Sequence, residues 1–496
     1  MKIQTSFAAI IFVSFLLTLT VINGNSQAQT QFRLTFSEQL TSNTVTGRAI
    51  ILLSSDTAVD PDIPNPYKPF ITFGMDFKNW KPGEELMITE EKTDSFMAKM
   101  KELHGYYSLR AVIDTDTSSS ILSRNGVLYS DKIICNVGAD RSNTIDVPVK
   151  NMIRGKGFKE SRYIRQLKVE SRLLSDFYHV PTYIEAAVVL PESYDSLTEK
   201  IYPVVFVMPG FGSTHEAITK GSFQQKRYGM IGLGEEKIYV FLNQDCRYGF
   251  HVFANSDNNG PRATSFITEL IPYLEKNYRV KKDANSRFLV GQSSGGWAAL
   301  WLMVNYPDTF GMAWAGSPDP VDFREFLNHN LYDPDANLFF DKNGNLTPAI
   351  RHQGVSFTNK EWSEMECATG EGGQYQSFEA VFGRKGTNNR PEHFYDRKTG
   401  RINPDAIENW KKYDISMLIN ENAATLKEKL RNKINIVVSA NDDYYLDGSV
   451  ISLKNTLDSL KIDSNIVVLE DGGHNTWNDD LRVQMQKRMD EIAFPD

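Results

Sequence analysis

The sequence predicts an α/β protein whose mostly parallel sheet is preceded by a small all-β, sandwich-like domain. Between about residues 176 and 496, apolar strand-like runs alternate with helix-like runs, as is typical of parallel strands connected by helices. Residues 29–150 instead contain short runs with period-two alternation, bounded by Gly, Pro, Asn and Asp. The composition agrees with a folded chain, because 41% of the 496 residues are hydrophobic and 23% are charged.

The N-terminus has the pattern of a cleavable export signal. Lys2 precedes a mostly apolar run, Phe7–Ile22, and the small residues of Ser26-Gln27-Ala28 follow. We predict that residues 1–28 are a signal peptide and that the mature chain is secreted or periplasmic. An uncleaved anchor is the alternative, but the run is shorter than the ~20 apolar residues that span a bilayer. No membrane partner is expected after cleavage.

Charge and cysteine content narrow the classes of partner. The net charge is −8, from 54 Lys and Arg against 62 Asp and Glu, so no nucleic-acid partner is expected. The three cysteines Cys135, Cys246 and Cys367 are too few for a disulfide scaffold. Two alternatives stay open, namely a disulfide between Cys246 and Cys367 and three buried thiols.

The region of residues 29–150 predicts a small β-sandwich. Its candidate strands are Phe32–Phe36, Thr46–Leu52, Tyr107–Ile113 and Thr144–Val149. It has no catalytic constellation, so packing, positioning and glycan contact are the roles left open. The basic stretch of residues 151–175 predicts a solvated linker.

Residues 176–496 predict the catalytic domain. Its candidate strands are Tyr183–Leu190, Tyr202–Met208, Ile238–Asn243, Arg287–Val290, Gly311–Ala315, Ile434–Ser439 and Asn465–Leu469. Its candidate helices are Ala263–Lys276, Ser294–Asn305, Gly448–Leu460 and Asn478–Ile492. Residues of about 318–405 break this rhythm, and we expect an insertion that caps the strand ends where ligands bind.

The sharpest chemical signal is Gly291-Gln292-Ser293-Ser294-Gly295, a G-x-S-x-G motif. It follows an apolar strand and precedes a helix-forming run, which is the strand–turn–helix context of a nucleophilic serine. Ser293 is therefore the predicted nucleophile. A Gly- and Ser-rich turn that merely starts a helix is the alternative.

A serine hydroxyl needs a base, and the base needs an orienting acid. His474 follows the last predicted strand, whereas His329, His352 and His393 lie in the presumed insertion. We therefore predict His474 as the base. Asp442, which follows the strand Ile434–Ser439, is the first choice for the acid.

Two further acids stay open as alternatives to Asp442. Asp443 is the second choice and Asp319 the third. Surface turns favour Asp for local hydrogen bonding in any case, so a turn-only role for Asp442 also stays open.

An acyl-transfer transition state also needs donors for its oxyanion. The backbone N–H of Ser294 is one predicted donor. The loop after Val204–Met208 provides the other, with Phe211 first and Gly210 next. Trp297, Tyr248 and Trp477, together with aromatic residues of the insertion, are predicted to bind substrate, although aromatic residues more often build cores.

These motifs together resemble the α/β-hydrolase fold and, within it, the putative-esterase family of enterochelin esterases, feruloyl esterases and S-formylglutathione hydrolases. The matching segments are Tyr202–Gly210, Asn258–Pro261, Gln292–Gly296 and Asp471–His474. The resemblance also implies the triad acid at Asp442, because Tyr444-Tyr445-Leu446 follows it. Many relatives have His-Gly at the oxyanion loop, where this chain has Pro209-Gly210. The resemblance implies ester hydrolysis without a metal or an organic cofactor.

The expected function is that of a secreted serine ester hydrolase with an acyl-enzyme intermediate. Its substrate would be a small-molecule or polymer-linked ester, with carbohydrate-linked and aryl esters both open. A serine peptidase or acyltransferase with the same triad is one alternative. A non-catalytic glycan-binding protein is another, and the oligomeric state is left open.

Overall fold

The architecture is that of a computed structural model, which describes residues 30–495 apart from residues 116, 117, 123, 139–143, 156, 221 and 353. The predicted signal peptide, residues 1–28, lies outside the described residues. Among the residues that are described, no helix combines the length and the apolar character needed to cross a membrane.

The N-terminal unit is built mainly of β-strands, with a large apolar core on one side and a smaller apolar cluster, which includes Ile50 and Val112, on the other. The described strands are β1 (Gln31–Phe36), β2 (Val45–Ser54), β3 (Ile71–Trp80), β4 (Leu86–Ile88), β5 (Asp94–Phe96), β6 (Gly105–Asp114), β7 (Leu128–Ser130), β8 (Ile133–Val137) and β9 (Thr144–Met152). Alternation along β1 buries Phe32, Leu34 and Phe36, as expected for a strand with one face on the core.

These strands form a single sheet rather than the two stacked sheets of the expected sandwich. Their order is β4-β1-β9-β7-β6-β2-β3-β5, and β8 pairs with β6 beside this path. The sheet curves back on itself. Phe32 of β1 and Phe73 of β3 belong to strands that are far apart in the sheet order, yet their rings stack with centroids 6.2 Å apart. Curvature thus encloses the core that two sheets would otherwise have to cover.

The second unit is built on an eight-stranded sheet in the order β10-β11-β13-β12-β18-β19-β20-β21. Its strands and the short hairpins between them are β10 (Ile164–Glu170), β11 (Tyr183–Val189), β12 (Val204–Met208), β13 (Ile238–Leu242), β14 (Asp245–Cys246), β15 (Gly249–Phe250), β16 (Asn255–Ser256), β17 (Gly260–Pro261), β18 (Arg287–Gln292), β19 (Met312–Gly316), β20 (Ile434–Ser439) and β21 (Asn465–Leu469). The pairs from β13 to β21 are parallel, and β10 and β11 add two antiparallel pairs. Each of the seven strand predictions for this region coincides with a strand.

The expectation of a linker at residues 151–175 is wrong, because β10 is an edge strand of this sheet. Its charged side chains alternate with Leu167 and Val169, which are buried against the core. The exposed positions of this one-sided edge strand are Gln166, Lys168 and Glu170, and together with Arg165 they resemble a continuous solvated run in the sequence.

The sheet is covered on both faces. Val204, Phe206 and Met208 of β12 join the core on one side, and Val205 and Val207 join the core on the other. This explains why β12 is a continuous apolar run. The helices that flank the sheet and build the insertion are α1 (Arg172–Tyr178), α2 (Ser222–Arg227), α3 (Arg262–Ser265), α4 (Ile271–Asn277), α5 (Ser294–Asn305), α6 (Asn359–Thr369), α7 (Gln374–Phe382), α8 (Pro404–Trp410), α9 (Ile415–Glu421), α10 (Ala423–Leu430), α11 (Asp447–Leu460) and α12 (Asp479–Ala493).

The insertion between β19 and β20 contacts the N-terminal unit. The Arg48 guanidinium donates to the carbonyl oxygens of Cys367, at 2.5 Å, and Ala368, near the end of α6. It also pairs with Asp76 and Asp94 of its own sheet. Since its side chain is only 12% exposed, Arg48 is a buried link between the two units.

Replacing Arg48 by Met should weaken this link strongly. Two carbonyl oxygens would lose a charged donor, whereas the Asp76 and Asp94 carboxylates are more than half exposed and would stay hydrated, so we expect the free energy of unfolding to fall by about 1–3 kcal/mol. Denaturant unfolding measures the change. The matched control is Arg33→Met, since Arg33 pairs with exposed Asp146 on the same sheet, and a loss below about 1 kcal/mol is expected there. Equal losses in both variants would contradict the linking role.

Candidate active site

The predicted site residues come together at one edge of the eight-stranded sheet. Ser293 follows β18, Asp319 follows β19, Asp442 follows β20 and His474 follows β21. Because parallel strands end at the same edge, the loops after them meet there. Ser293, Asp319 and His474 line one pocket of about 310 Å³.

Ser293 occupies a strained turn between strand and helix. Its φ and ψ are 60° and −128°, outside the conformations that a non-glycine residue commonly adopts. Its N–H donates to the Gly316 carbonyl oxygen of the next strand at 2.9 Å, and its own carbonyl accepts from the Trp297 N–H at 3.0 Å. These two hydrogen bonds therefore stabilise the strained backbone conformation of Ser293.

The two glycines of the motif are required by close backbone contact. A Cβ on Gly291 would lie 2.1 Å from the Gly295 carbonyl oxygen, and a Cβ on Gly295 would lie 2.2 Å from that of Met208. No side chain fits at either position without moving the backbone. This steric constraint explains why the motif around Ser293 requires glycine at both positions.

His474 is oriented by Asp442. Nδ1 of His474 lies 2.9 Å from Oδ2 of Asp442, and the Asp442 side chain is fully buried. Burial would raise the pKa of Asp442, but the hydrogen bond and charge of His474, with the Tyr444 N–H, outweigh it and hold this pKa below its usual value. Asp442 is therefore an anion suited to fix an imidazole.

Two further side chains hold the backbone of His474. The Asp443 carboxylate accepts from the His474 N–H at 3.0 Å, and the Gln292 amide donates to the His474 carbonyl oxygen at 2.7 Å. Asp443, the alternative acid, thus contacts the loop rather than the ring. The role of Gln292 was not foreseen, although its place beside Ser293 in the motif is a signal that could have indicated it.

The Ser293 hydroxyl donates to Asp319 at 3.4 Å, and the structure has no hydrogen bond between Ser293 and His474, both of which are described residues. Asp319 also accepts from the Ser294 hydroxyl at 2.6 Å and from the Gln374 amide of α7 at 3.2 Å. Asp319, the third-choice acid, thus contacts the serine rather than the imidazole. Catalytic hydrogen bonds are often long before substrate binds.

Burial raises the pKa of Asp319 to about 6, although the Ser294 hydroxyl, the charge of His474 and the other donors act in the opposite direction. The carboxyl group therefore titrates near neutral pH, beside the serine. Below about pH 6 the group is mostly protonated, which removes a negative charge from beside Ser293.

Candidate backbone donors belong to residues that line the pocket or directly follow Ser293. Gly210 and Phe211 line it, and the Phe211 N–H makes no hydrogen bond to another described residue. Ser294 is the first residue of α5, so its N–H has no acceptor within the helix and lies at the positive end of the helix dipole.

The insertion builds much of the pocket wall. Leu327, Ala349, Trp362, Tyr375 and Phe378 all line the pocket and all belong to the segment expected as a cap. The prediction that aromatic residues of the insertion line the site applies to Trp362, Tyr375 and Phe378. Tyr228 and Phe241 contribute from the other side.

The three residues predicted to bind substrate do not line this pocket. Trp297 is buried on α5 and stacks on Trp301. Trp477 is buried against Tyr228, and the Tyr248 hydroxyl donates to the Asn389 carbonyl oxygen. Trp297 and Trp477 pack in the interior, which is the commoner use of aromatic residues.

All three cysteines are free thiols, so the alternative of a Cys246–Cys367 disulfide is not found. Burial raises the pKa of Cys246 to about 12 and those of Cys135 and Cys367 to about 11. Thiols of this kind carry little thiolate at neutral pH.

The chain belongs to the Putative esterase family, and this membership makes it an ester hydrolase. The family model matches residues 179–446, which is more than half of the chain. The match begins before β11 and ends just after Asp442. It therefore includes Ser293, Asp319 and the oxyanion loop.

Individual relatives are distant. "Uncharacterized protein YbbA" of Bacillus subtilis is 29% identical over 129 residues, which is 25% of this chain and 51% of that protein, so the match spans about half of the relative. A ferulic acid esterase structure has 19% identity and a TM-score of 0.41, covering 66% of this chain and 98% of its own. An S-formylglutathione hydrolase of Agrobacterium tumefaciens has 12% identity and a TM-score of 0.38, with 67% and 95% covered.

Replacing Asp319 by Asn should stabilise the protein at alkaline pH. The folded carboxyl keeps its proton up to about pH 6, whereas an unfolded Asp loses it near pH 4. Wild-type stability should therefore fall between about pH 4 and pH 6, and Asn cannot undergo this loss. At pH 8 we expect the variant to gain up to roughly 3 kcal/mol in free energy of unfolding, and little at pH 4.

Asp322→Asn is the matched control for this measurement. Burial raises the pKa of Asp322, but hydrogen bonds from the Arg324 side chain, the Ser452 hydroxyl and the Arg324 N–H together outweigh burial and lower this pKa, so Asn should destabilise the protein at pH 8. Urea unfolding at both pH values gives the comparison. Destabilisation of Asp319→Asn at pH 8 would show that Asp319 is needed as an anion.

Proposed function

We propose that the chain is an exported serine esterase that works through an acyl-enzyme intermediate. The observation that carries the proposal is the buried Asp442 carboxylate, which holds the His474 imidazole in a pocket that also contains Ser293. The export part is supported by the signal-like pattern of residues 1–28.

In the proposed first step, the Ser293 oxygen attacks the ester carbonyl carbon while His474 takes the hydroxyl proton. Asp442 stabilises the imidazolium that forms. The Ser293 hydroxyl must turn from Asp319 toward His474 for this step.

The tetrahedral intermediate places negative charge on the former carbonyl oxygen. The N–H groups of Phe211 and Ser294 are the proposed donors to it, with Gly210 beside them. His474 then gives its proton to the leaving alcohol, and the acyl group stays on Ser293. A water molecule, deprotonated by His474, releases the acid in the reverse sequence.

The pocket favours esters with a compact, apolar acyl group. Its volume of about 310 Å³ is at the lower end of the range for small-molecule sites. Tyr228, Phe241, Trp362 and Phe378 give aromatic surface for such a group. Aryl esters and acylated glycans with an aryl or short acyl group are therefore the proposed substrates.

The direct test is hydrolysis of aryl esters by purified mature protein and three variants. Ser293→Ala should lose at least about 10³-fold in kcat, because the nucleophile is absent. Asp442→Asn should lose about 10³- to 10⁴-fold, because the imidazole would adopt the wrong tautomer.

Asp443→Asn is the matched control, since Asp443 is the next residue and its carboxylate contacts the His474 backbone N–H and the His352 ring rather than the His474 ring. We expect a loss of less than about tenfold. Full activity in Ser293→Ala would refute the proposal. A larger loss in Asp443→Asn than in Asp442→Asn would move the triad acid to Asp443.

A further inference from the structure

We propose that Tyr67 of the N-terminal unit is a positioning residue of the active site, which holds Tyr444 against the ring of His474. The inference rests on the proposed function of His474 as the catalytic base. The N-terminal unit, whose sequence shows no catalytic constellation, would thereby help to position the proposed base.

Tyr67 is presented by a tight turn between β2 and β3. The Lys68 N–H donates to the Asn65 carbonyl oxygen at 2.9 Å, and the Tyr67 N–H donates to the Asn65 side chain at 3.1 Å. Pro66 fixes φ at the second position of this turn. The turn is therefore a rigid support, although Tyr67 itself is 47% exposed.

The Tyr67 hydroxyl lies 3.1 Å from the Tyr444 hydroxyl, across 377 residues of sequence. The Tyr444 ring in turn meets the His474 ring edge to face, with centroids 4.8 Å apart, and Trp362 of the insertion at 6.1 Å. Tyr444 lines the pocket. One hydroxyl pair thus connects the N-terminal unit to a ring that touches the proposed base.

Tyr444 also belongs to the loop that carries the proposed acid. Its N–H donates to Oδ1 of Asp442 at 2.9 Å, while Oδ2 of the same carboxylate binds His474. A shift of Tyr444 would therefore disturb both the carboxylate and the ring that the carboxylate orients. Displacements below 1 Å at such a pair are enough to slow proton transfer.

Tyr67 reaches this loop by a second route. Its ring meets the His352 ring edge to face at 5.6 Å, and Nδ1 of His352 lies 3.1 Å from Asp443. Asp443 in turn accepts from the His474 N–H. Both sets of contacts end at His474. The contacts of Tyr67 therefore support the proposed base as well as joining the two units.

Burial raises the pKa values of both hydroxyls, Tyr67 and Tyr444. Both groups are therefore neutral at physiological pH, and their hydrogen bond persists across the range in which an esterase would be assayed. A change in activity on its removal should accordingly be independent of pH there.

The test uses the full-length mature chain with Tyr67→Phe, Tyr444→Phe and the double variant. An aryl fluorophosphonate measures the reactivity of Ser293, and an aryl acetate gives kcat and KM. Each single variant should slow labelling and lower kcat roughly three- to tenfold, with KM within about twofold. The double variant should be no slower than the singles, because both hydroxyls act through one hydrogen bond.

Tyr106→Phe is the control, since Tyr106 is 65% exposed on β6 of the same unit, and it should behave as wild type. Wild-type labelling and kcat in Tyr67→Phe, or losses that multiply in the double variant, would overturn the inference. A wild-type chain that is not labelled at Ser293 would refute the proposed function, and this inference with it.

Discussion

The hydrogen bond of 2.9 Å between Asp442 and His474 is the interaction on which the rest of the site depends. It joins the loops after β20 and β21, two neighbouring parallel strands, so the sheet register sets it. Without it the imidazole would lose the hydrogen bond that orients Nδ1, and the strained turn at Ser293 would present a hydroxyl without the proposed base. The surrounding contacts can be understood as ways of keeping this pair in place.

Three parts of the chain contribute to that support. Gln292 of the motif and Asp443 of the loop after β20 bind the backbone of His474. The insertion contributes Trp362 against Tyr444, and the N-terminal unit contributes Tyr67. The insertion and the β unit are therefore integrated with the site rather than appended to it, and Arg48 joins them to each other.

Much of the fold could be predicted because its signals are local. The tight turn at Ser293 requires Gly291 and Gly295, because a side chain at either position would overlap the backbone. The buried parallel strands appear in the sequence as continuous apolar runs. The positions of Asp442 and His474 follow from strand ends. β10 was not predicted, because only Leu167 and Val169 show the alternation of a strand and the polar and charged residues around them resemble a solvated segment.

Other features depend on contacts that no local pattern records. Trp297 looks like a substrate contact beside the motif, yet the helix turns it into the core. Asp319 contacts the serine rather than the imidazole because β19 lies next to β18. Tyr67 and Tyr444 are 377 residues apart, so only the folded chain brings them together.

The most direct test of this account is mass spectrometry of the protein after rapid acid quench during turnover of an aryl ester. The account predicts that the acyl group is attached to Ser293 in the wild-type chain and that no adduct forms in Ser293→Ala. Turnover with no adduct on Ser293, or with an adduct on another residue, would contradict it.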